Sequence, residues 1–379
     1  MEKRTVYLDH AATTPVKRAV FQKMRPYFTE QFGNANSQHG FGRNAVKAVD
    51  EARDTVAALI GAQPSEIYFT SGGTEADNWA VKGLALAAEN RKKILLSPIE
   101  HPAVLESAAA LESFGKKVAF LPVDETGRVI LSDAEKMIDE DTAFLGVMLA
   151  NNEIGTIEPV EELVKIAETK GVPVFSDAVQ AIPCMRVNVQ ELGVSALSFS
   201  AHKFGGPKGV GVLYVRQNTP LAQFMHGGHQ ERARRGGTTN VPGVVGLAEA
   251  LRITYENMEK DERKIKKLRD GFVKRVLREI PDVIYNGSAD HRVSGNANFT
   301  FPKMEGETLL FRLDLAGIAA SSGAACSTGT LQPSHVLTAI GRTEKEARRS
   351  VRFSFGRENT AADVDYTVET LKKILSVKE

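Results

Sequence analysis

The chain has 379 residues, 42% of them apolar and 25% charged, with a formal net charge of +1, the balance of a globular protein of two domains or of one large domain with an appendage. That charge argues against a nucleic-acid surface or an acidic tail, no apolar run approaches the ~20 residues that span a bilayer, and the first residues lack the apolar core of a signal peptide, so no membrane and a cytoplasmic location are expected. Two cysteines, Cys184 and Cys326, exclude a disulfide framework and a cysteine-based zinc site.

Val6-Tyr-Leu8 reads as a short apolar strand that runs into the polar turn Asp9-His-Ala-Ala-Thr-Thr-Pro15. Phe32-Gly-Asn-Ala-Asn-Ser37 is a loop by composition. Apolar spacing predicts a helix over 44–59. Ile67-Tyr-Phe-Thr70 reads as a buried strand, followed by Ser71-Gly-Gly-Thr74 and a helical stretch to about residue 88. Strand, glycines, hydroxyl, helix is the order that surrounds a phosphate with backbone N–H groups and a helix N-terminus. An ordinary Ser/Thr cap has the same local pattern. No Walker lysine follows, which sets a nucleotide P-loop aside.

Further strands are expected at 93–97, 117–121, 143–150, 173–176, 195–200 and 210–215. Helices are expected at 102–114 and 160–170, with a side-chain-capped helix at 132–140. This βαβα alternation predicts an α/β fold with a mainly parallel sheet covered by helices on both faces. Its polar motifs fall just after strand ends, where such sheets bind ligands. They are Ser71-Gly-Gly-Thr74, Glu100-His101, Asn151-Asn-Glu-Ile-Gly155, Asp177-Ala-Val-Gln180 and the turn around Lys203. Gly205-Gly206-Pro207 must turn, so Lys203 is expected at a strand end in a packed region. Burial there would lower its pKa and give a nucleophilic amine, although a solvated loop lysine is the commoner case. A long helical region over 244–280 carries an apolar stripe of Ile265, Leu268, Phe272 and Val276 and reads as a solvated amphipathic helix. Short elements beyond 283 suggest a smaller α+β domain.

Several uncommon motifs occur in one order: TSGGTEADN at 70–78, EHPAV at 100–104, NNEIG at 151–155, DAVQ at 177–180, SAHKFGGPKG at 200–209, RGGTTN at 235–240 and SSGAACSTGTLQPSHVL at 321–337. With the segments at 7–15 and 351–357, they resemble the fold-type I pyridoxal-phosphate enzymes, and within them the NifS/IscS-type (group I) cysteine desulfurases of the class-V aminotransferase family. The resemblance implies a large cofactor domain at 15–255 with a mainly parallel seven-stranded sheet. It implies a small α+β domain, from 1–14 and 256–379, that carries the catalytic cysteine loop.

It further implies that Lys203 holds pyridoxal 5'-phosphate covalently and that Asp177 pairs with the ring nitrogen, preserving the ring as an electron sink. Gln180 would bond the phenolate oxygen and His101 would stack on the ring and help move the Cα proton. Gly73, Thr74, Ser200 and His202 would hold the phosphate. Thr238 would reach the phosphate of a second subunit, which makes a homodimer expected. Asn152 would lie beside ring and substrate. Arg352 would bind the substrate carboxylate as a two-donor fork, helped by Asn34, although the family's Asn-Pro is Asn34-Ala35 here.

Residues 321–330 are all Ser, Gly, Ala, Thr or Cys. Such a loop can carry a thiol between a buried cofactor and a partner; a cysteine that merely sits in a small-residue turn is the plainer reading. By the resemblance Cys326 takes sulfur from L-cysteine, giving L-alanine and a persulfide. The sulfur would pass to a protein acceptor, an iron–sulfur scaffold or a tRNA-thiolation enzyme, with Cys326 a possible cluster ligand at hand-over and no other metal site. A selenocysteine lyase or another fold-type I enzyme is the nearest alternative, and a non-catalytic docking protein is the rival from another class. Cys184 reads as structural.

Overall fold

The computed structural model describes residues 4–322 and 332–376. In chain order the strands are β1 (Val6–Tyr7), β2 (Ile67–Thr70), β3 (Lys93–Leu96), β4 (Lys117–Phe120), β5 (Thr142–Gly146) and β6 (Val174–Asp177). They continue as β7 (Ala196–Ser200), β8 (Gly211–Val215), β9 (Ile284–Asn286), β10 (Asn296–Thr300), β11 (Ile318–Ala319) and β12 (Ser350–Ser354). Seven of them form one sheet in the order β2-β8-β7-β6-β5-β3-β4. The pairings from β4 to β7 are parallel, and β8 and β2 join antiparallel at one edge. β5, β6 and β7 are buried along their whole length, which accounts for their nearly continuous apolar runs.

β5 stops short of the expected 143–150. Val147 and Leu149 still donate to the carbonyls of Phe175 (3.0 Å) and Asp177 (2.8 Å), but β3 on the other side ends at Leu96. The ladder becomes one-sided and the chain turns away at Asn151, whose side-chain oxygen accepts from the N–H groups of Glu153 and Ile154. The helix expected at 132–140 runs Leu131–Met137, and its N-cap is Ile130 with no side-chain cap; Ser132 lies inside the first turn. The helix expected at 102–114 divides into an α-helix, Pro102–Ala109, and a 3-10 turn, Ala110–Phe114, ended by Gly115.

One helix of 39 residues, Val241–Glu279, links two cores. Asn240 caps it through Gly243 N–H, with Pro242 in the first turn. Its first half buries Val244, Leu247, Leu251 and Tyr255 in the core under the large sheet. Its second half buries Phe272 and Val276 against a three-stranded antiparallel sheet, β12-β10-β9. The apolar stripe read as a solvated helix is therefore half interior: the Phe272 ring meets those of Phe299, Phe353 and Phe355 with centroids 5.9, 5.0 and 5.3 Å away. Removing such a ring costs ~3–5 kcal/mol. β1 pairs parallel with β11, so the first strand packs with this smaller core. Among the described residues, no helix is long and apolar enough to cross a membrane, and no cluster of His, Cys, Asp or Glu could hold a metal ion.

Candidate active site

The sequence after each central strand end builds one wall of a common site. β7 ends at Ser200 and tightens into a 3-10 turn, Ala201–Lys203. The next residues must reverse the chain within van der Waals distance of that turn. Gly205 does so at φ +83°, where a Cβ would strike the stem of Lys17 at 2.7 Å. The segment 9–17 lies across the turn as a strap. Thr14 donates to His202 O through its N–H (2.9 Å) and its hydroxyl (2.8 Å), Gly205 N–H donates to Thr14 Oγ1 (2.8 Å), and Lys17 N–H donates to Gly205 O (2.9 Å). Lys203 Nζ donates to the carbonyls of Ala11 (2.7 Å) and Ala12 (2.9 Å). The Gln180 amide also donates to Ala11 O, at 2.9 Å. Lys203 is thus half-buried and held in place, not a solvated loop lysine.

Asp177, the last residue of β6, is 3% exposed. Its Oδ1 accepts from Val179 N–H at 2.8 Å. Burial raises its carboxyl to about 6, against the pull of that hydrogen bond and of Lys203. His101 caps the helix Pro102–Ala109 by accepting from Ala103 N–H at Nδ1 (3.1 Å). Burial, then the charges of Lys203 and His335, push its imidazole down to about 4, so the ring is neutral near pH 7. The same order of causes, burial, Lys203, then Lys208, brings His202 to about 4.

The 15-residue helix Gly73–Ala87 starts at the glycines that follow β2, so the N–H groups of its first turn have no intrahelical partner. The backbone packs closely here: a Cβ on Gly211 would lie 2.7 Å from the Gly72 carbonyl carbon, and one on Gly73 would lie 3.1 Å from Val179 and 3.6 Å from Ser200. Gly73, Ser200 and the Asp177–Gln180 segment therefore converge, with Thr74 exposed at the rim. Thr238 is exposed and lines a groove with Thr70, Ser71 and Arg235; Arg235 forks Glu75 of the helix at 2.7 and 2.9 Å.

Arg352 of β12 is 2% exposed. Nη1 donates to Asn152 O (2.7 Å) and Nη2 to Asp9 Oδ1 (2.9 Å). Its main chain exchanges two hydrogen bonds with Ser321, at 2.7 and 3.1 Å. Cys326 lies outside the described residues. Beyond that gap, Ser334 donates to Glu153 Oε2 at 2.5 Å and His335 Nε2 donates to Glu100 O at 2.9 Å. Asn34 is exposed, and its side chain accepts from Asn36 N–H (2.9 Å). Cys184 lies in the wall of a cleft of about 120 Å³ that Lys203 and Gln180 also line, beside Lys17, Thr254 and Gly356. Burial pushes its thiol up to about 11 despite a hydrogen bond with Ser294.

Three residues of the site were given no role by the sequence. Asp77, one turn into the Gly73 helix, is 1% exposed and accepts from Ser198 Oγ at 2.5 Å. Burial and the neighbouring Asp177 hold its carboxyl well above the ordinary range. Glu100 is buried, takes Met148 N–H at 2.6 Å, has no partner for Oε2 among the described residues, and is likewise raised well above the usual value by burial. Asp9 reaches Arg352 from the end of the first strand. All three stand within quoted motifs, but only the register of β6 on β7, Asp177 beside Ser198, reveals what Asp77 faces.

This arrangement fits pyridoxal phosphate. A glycine cradle that a Cβ would fill lies at a helix N-terminus, suited to a phosphate. Three buried carboxyls, Asp77, Asp177 and Glu100, press on one another and favour an arriving cationic ring. A half-buried amine, Lys203, lies within electrostatic reach of Asp177 and His101.

An aminotransferase class-V family profile matches residues 6–367. The chain is 46% identical to "Cysteine desulfurase IscS" of Dictyoglomus turgidum, over 98% of this chain and 95% of the relative. It is 45% identical to the protein of the same description from Methanosarcina thermophila, over 99% and 93%. Among solved structures, a "NifS-like protein" superposes with TM-score 0.93 at 39% identity, covering 98% of this chain and all of that one. "SspA in complex with cysteine" superposes with TM-score 0.82 at 34% identity, covering 94% and 100%.

Proposed function

We infer the roles of the site residues from one premise: this chain belongs to the aminotransferase class-V family and is a pyridoxal-phosphate-dependent cysteine desulfurase. Bound pyridoxal phosphate supplies an electron sink conjugated to the substrate's Cα. The first-turn N–H groups at Gly73 and Thr74, with Ser200 and His202, hold the phosphate. Asp177 takes the ring nitrogen. Gln180 would hold the ring oxygen, and the neutral His101 imidazole would pack on the ring. Lys203 would carry the cofactor and its amine, when free, would move the Cα proton of bound cysteine, with His101 assisting. Arg352, flanked by Asn152, binds the substrate carboxylate, with a smaller contribution from Asn34.

The Cys326 thiolate then forms an S–S bond with the substrate sulfur as the Cβ–S bond breaks, and the carbon fragment leaves as L-alanine once protonated. Chain reach supports this step. Cys326 is five residues from Ser321, which is paired with Arg352, and five residues span at most ~17 Å.

The persulfide sulfur passes to a protein acceptor for iron–sulfur assembly or tRNA thiolation in the cytoplasm. The working unit is a homodimer in which Thr238 completes the neighbour's phosphate site. The large cofactor domain covers 15–255, and 1–14 with 256–379 make the small one. The two cores on one helix, one ending near Met258 and the other starting near Phe272, support that division.

The observation that carries this reading is the convergence of Lys203, Asp177 and His101 at three strand ends under one helix N-terminus. The test is borohydride reduction of the yellow holoenzyme followed by peptide mapping, together with single-turnover mass spectrometry on cysteine. Label should fall on the Lys203 peptide and one added sulfur on the Cys326 peptide. Lys203→Ala should turn over no cysteine, and Cys326→Ser should keep the colour yet release no alanine. Alanine at the wild-type rate from Cys326→Ser would replace this mechanism with a selenocysteine-lyase or general β-lyase reading.

A further inference from the structure

The Arg352 guanidinium divides into two edges with different partners. The Nη1 edge is occupied by Asn152 O at 2.7 Å. On the other edge Nη2 donates to Asp9 Oδ1 at 2.9 Å, while the adjacent Nε is buried and finds no acceptor among the described residues. An Nε–Nη2 edge is built for a carboxylate that meets both protons at once. Asp9 takes only one. It is also the looser member of the pair, with its side chain 20% exposed against 3% for Arg352.

A guanidinium this buried is strongly disfavoured without a counter-ion. Asp9 meets that need until a ligand arrives. A carboxylate ligand that settles on the Nε–Nη2 edge satisfies the orphaned proton and must displace Asp9 from Nη2, leaving the Asn152 contact untouched. Its observed affinity is then the difference between its own two-point grip and the one-point grip of Asp9. The same competition applies to the product, whose carboxylate is identical.

We propose that Asp9 is a displaceable counter-ion of Arg352: it competes with the substrate's carboxylate for the Nε–Nη2 edge and so sets how tightly cysteine is held and how readily alanine leaves. This rests on the reading of Arg352 as the carboxylate site. Asp9 acts through Arg352 and is a positioning residue. Its place supports the role, because Asp9 O also accepts from Ala12 N–H at 3.0 Å, and Ala12 O is a partner of Lys203 Nζ. The competitor is thus carried by the strap that holds the lysine.

The experiment measures binding of L-alanine, and of ethylamine as its carboxylate-free analogue, to the holoenzyme by cofactor absorbance, alongside kcat and KM for cysteine. Asp9→Asn removes the competing charge. Alanine should bind about tenfold tighter, ethylamine affinity should not change, KM should fall, and kcat should fall as product leaves more slowly. Asp9→Glu keeps the charge and should hold alanine affinity within about twofold of wild type. Weaker alanine binding in Asp9→Asn, or equal changes for alanine and ethylamine, means that Asp9 merely props Arg352 and overturns the proposal. If Arg352→Gln leaves alanine affinity unchanged, the carboxylate-site reading itself has failed. Should Asp9→Asn not fold, expression with alanine decides: rescue supports a replaceable counter-ion, and no rescue overturns it.

Discussion

Asp177 is the residue for which the needs of the site and the needs of the fold conflict most directly. Burial raises its carboxyl from 3.8 to about 6, net of the stabilising pull of Val179 N–H and Lys203. A carboxyl whose folded pKa lies above its unfolded one binds a proton more tightly when folded. Stability of the cofactor-free protein therefore falls as pH rises from about 4 to about 6 and stays low above that range. A shift of roughly two units corresponds to ~3 kcal/mol at neutral pH. An amide in place of this carboxyl cannot ionise, yet its carbonyl can still accept from Val179 N–H. Cofactor-free Asp177→Asn should thus be more stable than cofactor-free wild type by ~3 kcal/mol at pH 7.5 and by about half that at pH 5. The same substitution should weaken pyridoxal-phosphate binding, because the ring nitrogen loses its charged partner. The assay is urea denaturation of both proteins, stripped with hydroxylamine, at one protein concentration and at both pH values. The reasoning is refuted if Asp177→Asn is the less stable protein at pH 7.5, or if the gap is the same at pH 5.

Three further outcomes can be measured. Gly211→Ala places a Cβ 2.7 Å from the Gly72 carbonyl carbon, where main chain must move; it should cost ~1–3 kcal/mol and weaken cofactor binding in equilibrium dialysis, and wild-type affinity would show that the cradle is not used. The His101 imidazole, held near 4, should show its NMR titration midpoint below pH 5 in the cofactor-free protein, and a midpoint near 6.5 would mean that the ring is solvated. Iodoacetamide at pH 8 should modify the Cys326 peptide far faster than the Cys184 peptide, because a thiol at about 11 is only ~0.1% thiolate at that pH; comparable rates would remove the basis for calling Cys184 inert.

The large sheet was legible because its central strands are buried on both faces and so read as apolar runs between helices. The same logic failed at 143–150, where residues stay apolar beyond the point at which β3 ends and the ladder has lost one neighbour. The stripe on the long helix was seen, but composition could not say that its lower half meets three phenylalanines from a second sheet. Lys203, Asp177 and His101 were legible as polar residues after strand ends. Asp77 was not, because an acid in the second turn of a helix looks solvated until Ser198 is placed beneath it. Asn34 shows the converse: the motif that nominated it says nothing of the exposed turn in which its side chain closes on Asn36.

The N-terminal strap ties these observations into one argument about coupling. Residues 9–17 are far in sequence from every strand end of the large sheet, yet their carbonyls hold Lys203 and Gln180. Their first residue holds Arg352, and Ala11 N–H is fixed to Ser354 Oγ of the small sheet at 2.9 Å. Three short backbone steps therefore connect the amine that would carry the cofactor with the guanidinium that would carry the substrate's carboxylate. A ligand that takes Arg352 from Asp9 frees the side chain at one end of this segment, while the carbonyls of the next turn still grip the lysine. Freeing the lysine and seating the carboxylate would then act on the same few residues. Asp9 is thus placed to make the two events depend on each other, and alanine, which carries the same carboxylate as cysteine, would have to reverse both to leave.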